Sequence, residues 1–431
     1  MKYRIITFSI IAVALLSLLE SNGKRSRSSF AQKLDRHWLN FCIANASGKI
    51  KDSAVTLVTI DDEYESTLPD DQLTRIDYAV ILANIGKFQS PSVAVIPSLQ
   101  WEKEDSLNQN ILANQCLKLP ALTLGAVVEN SPQTNPSKKV SYPALTQVKG
   151  DTSEIDSFTR TISYPEKGTL SKSLVAFTQI DLRDQKNESG NLSLPLVARH
   201  GDDILPSFVL AALTQYEGLK LEDISLQLPP AVSHPQILIA DRYQIPIDKK
   251  GRMKVYQESS MESPLYQSIS ATHLTLAHSD SPHVKELQQD LESQFQSLSK
   301  HLVVVGLDKK HDRHITLSDG KKISLAQLIT RSIATIQSGR FIEQWPLAWR
   351  WLSFAAIFAL AAKLYSLRRR LVFFWGGLSA FFYFSIFVMI FNSQLKWTSP
   401  FTAMILFATL ILIGLILPAT SGSTTADKKT S

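Results

Sequence analysis

Short apolar runs alternate with helical repeats over the first three quarters of the chain. "AVTLVTIDDEYES" is an apolar run that ends in acids, and "SVAVIPSL", "ALTLGAVVE" and "HLVVVGLD" are further runs of similar length. They need not alternate with polar residues, because strands of a parallel sheet are covered on both faces. Between them "DQLTRIDYAVILANIGKF" and "DSLNQNILANQCLKL" read as helices; Ile76, Val80, Ala83 and Phe88 fall near one face of the first. Strands alternating with helices predict βαβ units and a mostly parallel sheet.

The middle of the chain is less regular. "SLVAFTQIDL" and "LSLPLVARHG" read as strands, and "LPSFVLAALTQYEG" as a helix with Pro206 in its first turn. "QIPIDKKGRMKVYQ" reads as strand–turn–strand, with Asp248 to Gly251 supplying the turn. "DSPHVKELQQDLESQFQSLS" predicts a polar surface helix, and "LAQLITRSIATIQSGRF" a closing helix. Near the start, Leu34, Trp38, Phe41 and Cys42 recur at helical spacing.

Longer apolar runs stand at both ends. After Lys2 and Arg4 comes an apolar stretch of roughly 15 residues. No clear small-residue cleavage site follows, which favours an uncleaved anchor over residues 1–20 against a removed signal peptide. Beyond Trp345, three stretches approach the roughly 20 residues that a spanning helix requires. They predict spans over 346–365, 371–391 and 400–418, followed by a short tail at 419–431. The loop between the first two holds Lys363 and Arg368 to Arg370, and basic short loops stay in the cytoplasm. Residues 30–342 are thereby expected outside. Trp345, Trp349, Trp351 and Trp397 fit an aromatic belt on the outer side. Lys24, Arg25 and Arg27, just beyond the first span, argue for the opposite orientation of that span.

Composition narrows the classes. The net charge of +6 is spread over 431 residues with no basic stripe, so nucleic acid is not an expected partner. Two cysteines, Cys42 and Cys116, fit neither a zinc pattern nor a disulfide framework. One bond between them and two separate core thiols remain the alternatives.

Candidate chemistry is sparse. Asp61, Asp62 and Glu63 stand at the C-terminal end of the first predicted strand, where ligands of open α/β folds bind. These carboxylates either hold a metal or a cationic ligand, or Asp62 or Glu63 caps the next helix and the others face water. "KKHDRH" brings His311, Asp312 and His314 together, read as a solvated loop before a metal site. That loop lies beside the first-strand acids if the first and fourth runs are neighbours, which makes the two a candidate binding mouth. There is no nucleophile elbow, phosphate loop or His-Glu-x-x-His motif. No enzyme activity, cofactor or metal is expected.

Several ordered motifs resemble the type 2 CHASE family of extracytoplasmic bacterial sensor domains. They are Leu34-Asp35, Ile60-Asp61-Asp62, Pro206-Ser207, Ile245-Pro246 with Asp248 and Gly251-Arg252, Val305-Gly306, Asp312-Arg313 and Gly339-Arg340-Phe341. With the three-span tail, the resemblance covers residues 30–418. It departs at "VAVIPSLQW", where the family runs into an acidic end, and at "KKISLAQLITRSIA", which replaces the usual entry to the closing helix. The resemblance implies an α/β sensor domain, and the residues taken as candidate ligand-binding groups are Asp61, Asp62, Asp312 and Arg313. Family members carry an output module after the third span, and here only the short tail follows. The expected protein is therefore an inner-membrane, multi-pass sensor for an unidentified ligand that signals through a separate protein. A structural envelope protein is the alternative, and an outward-facing hydrolase a more distant one.

Overall fold

The computed structural model describes residues 34, 37–39, 41–43, 53–68, 73–103, 105–130, 140, 142–179, 192–229, 234–256, 264–277, 291–309, 314–316, 322–344, 347–364, 369–397, 404–405, 407–409 and 411–412. They form two compact units. One runs from Ile43 to Glu343; the other joins the residues up to Cys42 with those from Gln344 onward.

In chain order the first unit holds β1 (Val55–Ile60), β2 (Ser92–Val95), β3 (Leu122–Glu129), β4 (Gln147–Gly150), β5 (Arg160–Ser163) and β6 (Ser173–Gln179). Then come β7 (Ser193–Pro195), β8 (Val197–His200), β9 (Asp203–Pro206), β10 (Ile224–Leu228), β11 (Gln236–Ile239), β12 (Tyr243–Pro246), β13 (Arg252–Lys254), β14 (Gln267–Ser270) and β15 (Leu302–Leu307). Its helices are α1 (Asp62–Ser66), α2 (Arg75–Lys87), α3 (Ser106–Lys118), α4 (Phe208–Tyr216), α5 (Ala271–Leu276) and α6 (Leu325–Ser338).

The main sheet has the order β14-β1-β15-β2-β3, with β6 on the far edge of β3. These six strands are all parallel. β5 runs antiparallel to the end of β3, beyond the short β2. The four apolar runs are therefore adjacent strands, and the predicted parallel sheet is observed. A smaller sheet, β12-β11-β10-β4, mixes parallel and antiparallel pairs. Its alternating burial shows one covered and one solvated face.

Helices cover both faces of the main sheet. Val58, Ile60, Val93, Val95, Leu122, Leu124, Val303 and Val305 share one core with Tyr78, Ile81, Leu82 and Ile85 of α2, Leu112 of α3 and Leu274 of α5. Residues alternating with these point to the other face, where α4 packs on β2, β3 and β6, and α6 on β1 and β15.

Several local expectations change. The buried side of α2 carries Tyr78, Ile81, Leu82 and Ile85, while Val80 is exposed. The stripe read from Ile76 and Val80 is the outer one, because α2 is apolar nearly all round and periodicity alone does not choose a face. Pro206 is the last residue of β9, not part of a helix; Ser207 is the N-cap of α4 and accepts from the Leu210 amide. β12 and β13 flank the Asp248–Gly251 turn but pair with β11 and β7 rather than with each other. Gly251 occupies the left-handed region (φ 78°) that this turn requires.

The other unit holds α7 (Leu347–Leu364) and α8 (Arg369–Gln394). Within α8, Phe374–Ser393 is the one helix among the described residues long and apolar enough to cross a membrane. Its inner side is packed: Phe384 meets the edge of Trp38, and Phe387 and Phe391 meet Trp397. Its outer side leaves Phe374, Trp375, Phe381, Phe382, Ile386 and Met389 exposed. The expected anchor at 1–20 lies outside the described residues, as does most of the expected span at 400–418.

Candidate functional site

The strand order defines where a ligand would sit. Helices that follow β1 and β2 cover one face of the sheet; α6, which follows β15, covers the other. β15 lies between β1 and β2, so neighbouring strands there send their following helices to opposite faces, and it is outside the C-terminal ends at such a switch that ligands of open α/β sheets bind.

Residues of β1, β14, β15 and α6 meet at this mouth. Ile60 is registered with Leu307, and the Asp308 amide donates to the Ile60 carbonyl at 3.0 Å. The first-strand acids and the loop after the fourth run are therefore neighbours. Asp61 is the N-cap of α1: its Oδ1 accepts from the Tyr64 amide at 3.0 Å, and its Oδ2 from the Ser270 hydroxyl at 2.9 Å. Asp62 and Glu63 open α1, so Asp61 takes the capping role expected of one of them. Lys309 pairs with Glu65, and Asp308 accepts from the Gln327 amide at 2.8 Å. Burial pushes the Tyr64 phenol up to about 12, with the Asp77 carboxylate adding to the shift, so it stays protonated at neutral pH. Asp312 and Arg313 lie outside the described residues.

A second cluster braces the end of β2. Arg75 of α2 donates from Nε to Glu166 at 3.1 Å and from Nη2 to the Lys103 carbonyl at 2.8 Å, with its guanidinium 4.9 Å from the Trp101 ring centroid. The Trp101 indole donates to the Leu73 carbonyl at 3.1 Å. Ser98 and Ser163 share a hydrogen bond, and Gln100 accepts from Ser163 at 2.9 Å and from the Tyr164 amide at 3.0 Å. The chain matches no family model, no curated protein and no solved structure. The mouth therefore rests on its own geometry.

The mouth brings carboxylate, ammonium, amide and hydroxyl groups together at the ends of β1, β14 and β15. Among the described residues no group of three or more His, Cys, Asp or Glu is placed to hold a metal ion. Cys42 and Cys116 are both buried free thiols, and burial raises Cys116 to about 12, far from a reactive thiolate. Ser270, Asp308 and Gln327 were not legible as site residues. Ser270 reaches the mouth only through the pairing of β14 with β1, 210 positions away from Ile60 in sequence (270 − 60). Lys309 had a local signal, as the first cation after a Val-rich strand.

Proposed function

We propose that the chain is a membrane-bound sensor or ligand-binding protein of the type 2 CHASE kind, with its α/β unit outside the cytoplasm of a bacterial cell, reporting to a separate protein. The observation that carries this reading is α6. Its first turn belongs to the mouth, through the Ser324 cap and the Gln327–Asp308 bond. Its last turn ends at Gly339, from which the chain continues to α7 and α8. A 14-residue helix, about 21 Å long, thus joins the mouth to the segment leading out of the unit. A ligand that prefers one position of α6 would shift that segment, with a coupling of about 1–3 kcal/mol.

Membrane attachment is supported by the exposed apolar side of α8, which has the composition of a lipid-facing surface. The fuller arrangement, with an anchor at 1–20, three spans and the large domain outside, rests on sequence hydropathy and on Lys363 and Arg368 to Arg370. The motif series from Ile60-Asp61-Asp62 to Gly339-Arg340-Phe341 supports the sensor class. Crosslinking in intact membranes tests the reading: capture of one reproducible partner at the Lys363 side is expected, and recovery of no partner would sink it.

One observation favours a second reading. Asp61, Glu65 and Asp308 already have partners within the unit. A structural envelope protein that no longer senses anything would show this arrangement. It predicts that no small molecule raises the melting temperature of the protein.

A further inference from the structure

We propose that the outer side of α3 is a contact surface for a second copy of this chain, the two α3 helices lying antiparallel about a twofold axis near Leu112. This goes beyond the sensor reading and does not depend on it.

α3 is an unusual surface helix. Its only charged residue is Lys118, at its last position. Leu112 and Cys116 turn inward to the core, as does Leu119 just beyond the helix. The opposite side exposes Leu107 (70%), Ile111 (37%) and Leu117 (38%), with Asn110 and Asn114 exposed among them. A single exposed leucine is ordinary. A solvated helix side normally carries charge, and this one carries none before Lys118. Large apolar groups without charge are the composition of an interface centre.

The order of these residues identifies the occupant. Leu107, Asn110, Asn114 and Leu117 follow one another at the a-d-a-d spacing of a coiled-coil seam. The series Leu-Asn-Asn-Leu reads the same in both directions. In an antiparallel pair Leu107 therefore meets Leu117 of the second copy, and Asn110 meets its Asn114. An Asn amide both donates and accepts, so each Asn pair satisfies itself and fixes the register. The charges match in the same arrangement. Asp105, the N-cap of α3, comes opposite Lys118 of the second copy. Its oxygens accept from the Asn108 amide and side chain and keep further lone pairs. Parallel helices would instead set Lys118 against Lys118. Antiparallel ones also place the positive N-terminal end of each dipole beside the negative C-terminal end of the other. A twofold contact between identical surfaces requires this self-complementarity.

The contact is a weak one. α3 has 13 residues and is about 20 Å long, so one such pair falls short of the roughly 1,200 Å² of a stable interface. The Asn pairs act in the same sense, since they set direction and register at a cost in stability. Occupancy therefore rises with the local concentration of the chain, and the pairing has to be caught in place.

Thiol crosslinking of the full chain in intact cells does this. Two differently tagged copies are expressed together and treated with a short membrane-permeant bismaleimide. Cys42 and Cys116 are buried, so the parent chain should give no dimer. Leu107→Cys with Leu117→Cys should give a mixed dimer, as should Asn110→Cys with Asn114→Cys. Leu107→Cys with itself should give almost none, because antiparallel helices hold those two thiols about 15 Å apart along the axis. Asn110→Asp/Asn114→Asp in both copies sets like charges opposite each other and should lower the mixed 107–117 yield about tenfold. Absence of both mixed dimers would overturn the proposal. So would equal yields from Leu107→Cys with itself and with Leu117→Cys, or crosslinking to a different protein alone. The substituted positions are exposed, and a melting curve for each variant separates a lost contact from a lost fold. Failure here leaves the sensor reading intact, and failure to capture a signalling partner leaves the α3 contact intact.

Discussion

Single residues in the α/β unit do structural work that is measurable one at a time. The Arg75 and Glu166 side chains are only 8% and 12% exposed. Removing one partner of such a pair strands the other charge, so Arg75→Met should cost about 3 kcal/mol in denaturant unfolding. Arg75→Met/Glu166→Met should recover part of that loss. Asp61→Ala removes the cap of α1 and the bond from Ser270, with an expected cost of about 1 kcal/mol; Asp61→Asn should retain most of the cap. If Asp61 is also a ligand group, Asp61→Asn should abolish ligand stabilisation while leaving the melting temperature nearly unchanged. His301 supplies a pH dependence. Its Nδ1 lies 2.9 Å from the Thr56 hydroxyl, and burial lowers its pKa below the ordinary 6.5. The unfolded chain then binds the proton more readily than the folded one. Its contribution is fully present above pH 6.5 and is lost as the pH falls from there towards the lowered value. Comparison of His301→Gln with the parent across pH 5–7 (the approximate range in which His titrates) should show a flatter stability profile for the variant.

At the scale of elements, legibility followed how local the information was. The four parallel strands could be read because unbroken runs such as "LVVVGL" require cover on both faces. The β8–β9 hairpin could not, because "ARHGDD" hides its turn among charges and the strands are only four residues each. Neither could the capping role of Asp61, since three successive acids leave the helix start ambiguous and tertiary contact with Ser270 decides it. The inner and outer sides of α8 were equally illegible, for the helix is apolar all round; only its packing against Trp38 and Trp397 separates them. That separation is testable. Phe381→Arg on the exposed side should cost about 3 kcal/mol of insertion free energy if lipid covers it. An alkaline wash of membranes should then release more of the variant than of the parent; equal retention would mean that something other than lipid lies there.

For the whole molecule, the division at Ile43 and Glu343 means that the α/β unit encloses its own core. A fragment of residues 43–343 should therefore fold alone and unfold in one cooperative transition by circular dichroism. A broad, non-cooperative melt would show that its stability depends on the apolar helices. Strand order was the global property that the sequence concealed. Adjacent runs suggest adjacent strands, yet β15 enters between β1 and β2 and β14 takes the outer edge. Pairing partners some 200 residues apart leave no periodic trace, so the position of the mouth beside β15 had to come from three-dimensional contacts.

That late-arriving strand has a consequence in time. β2 ends at Val95 and β15 at Leu307, 212 positions later (307 − 95). At about 5–20 residues per second, the ribosome takes roughly 10–40 s to cover that distance. Throughout that interval the two apolar strands that will flank β15 have no central partner. The nascent chain must therefore keep an open seam in the middle of its sheet, and this seam is where mispairing during synthesis would begin.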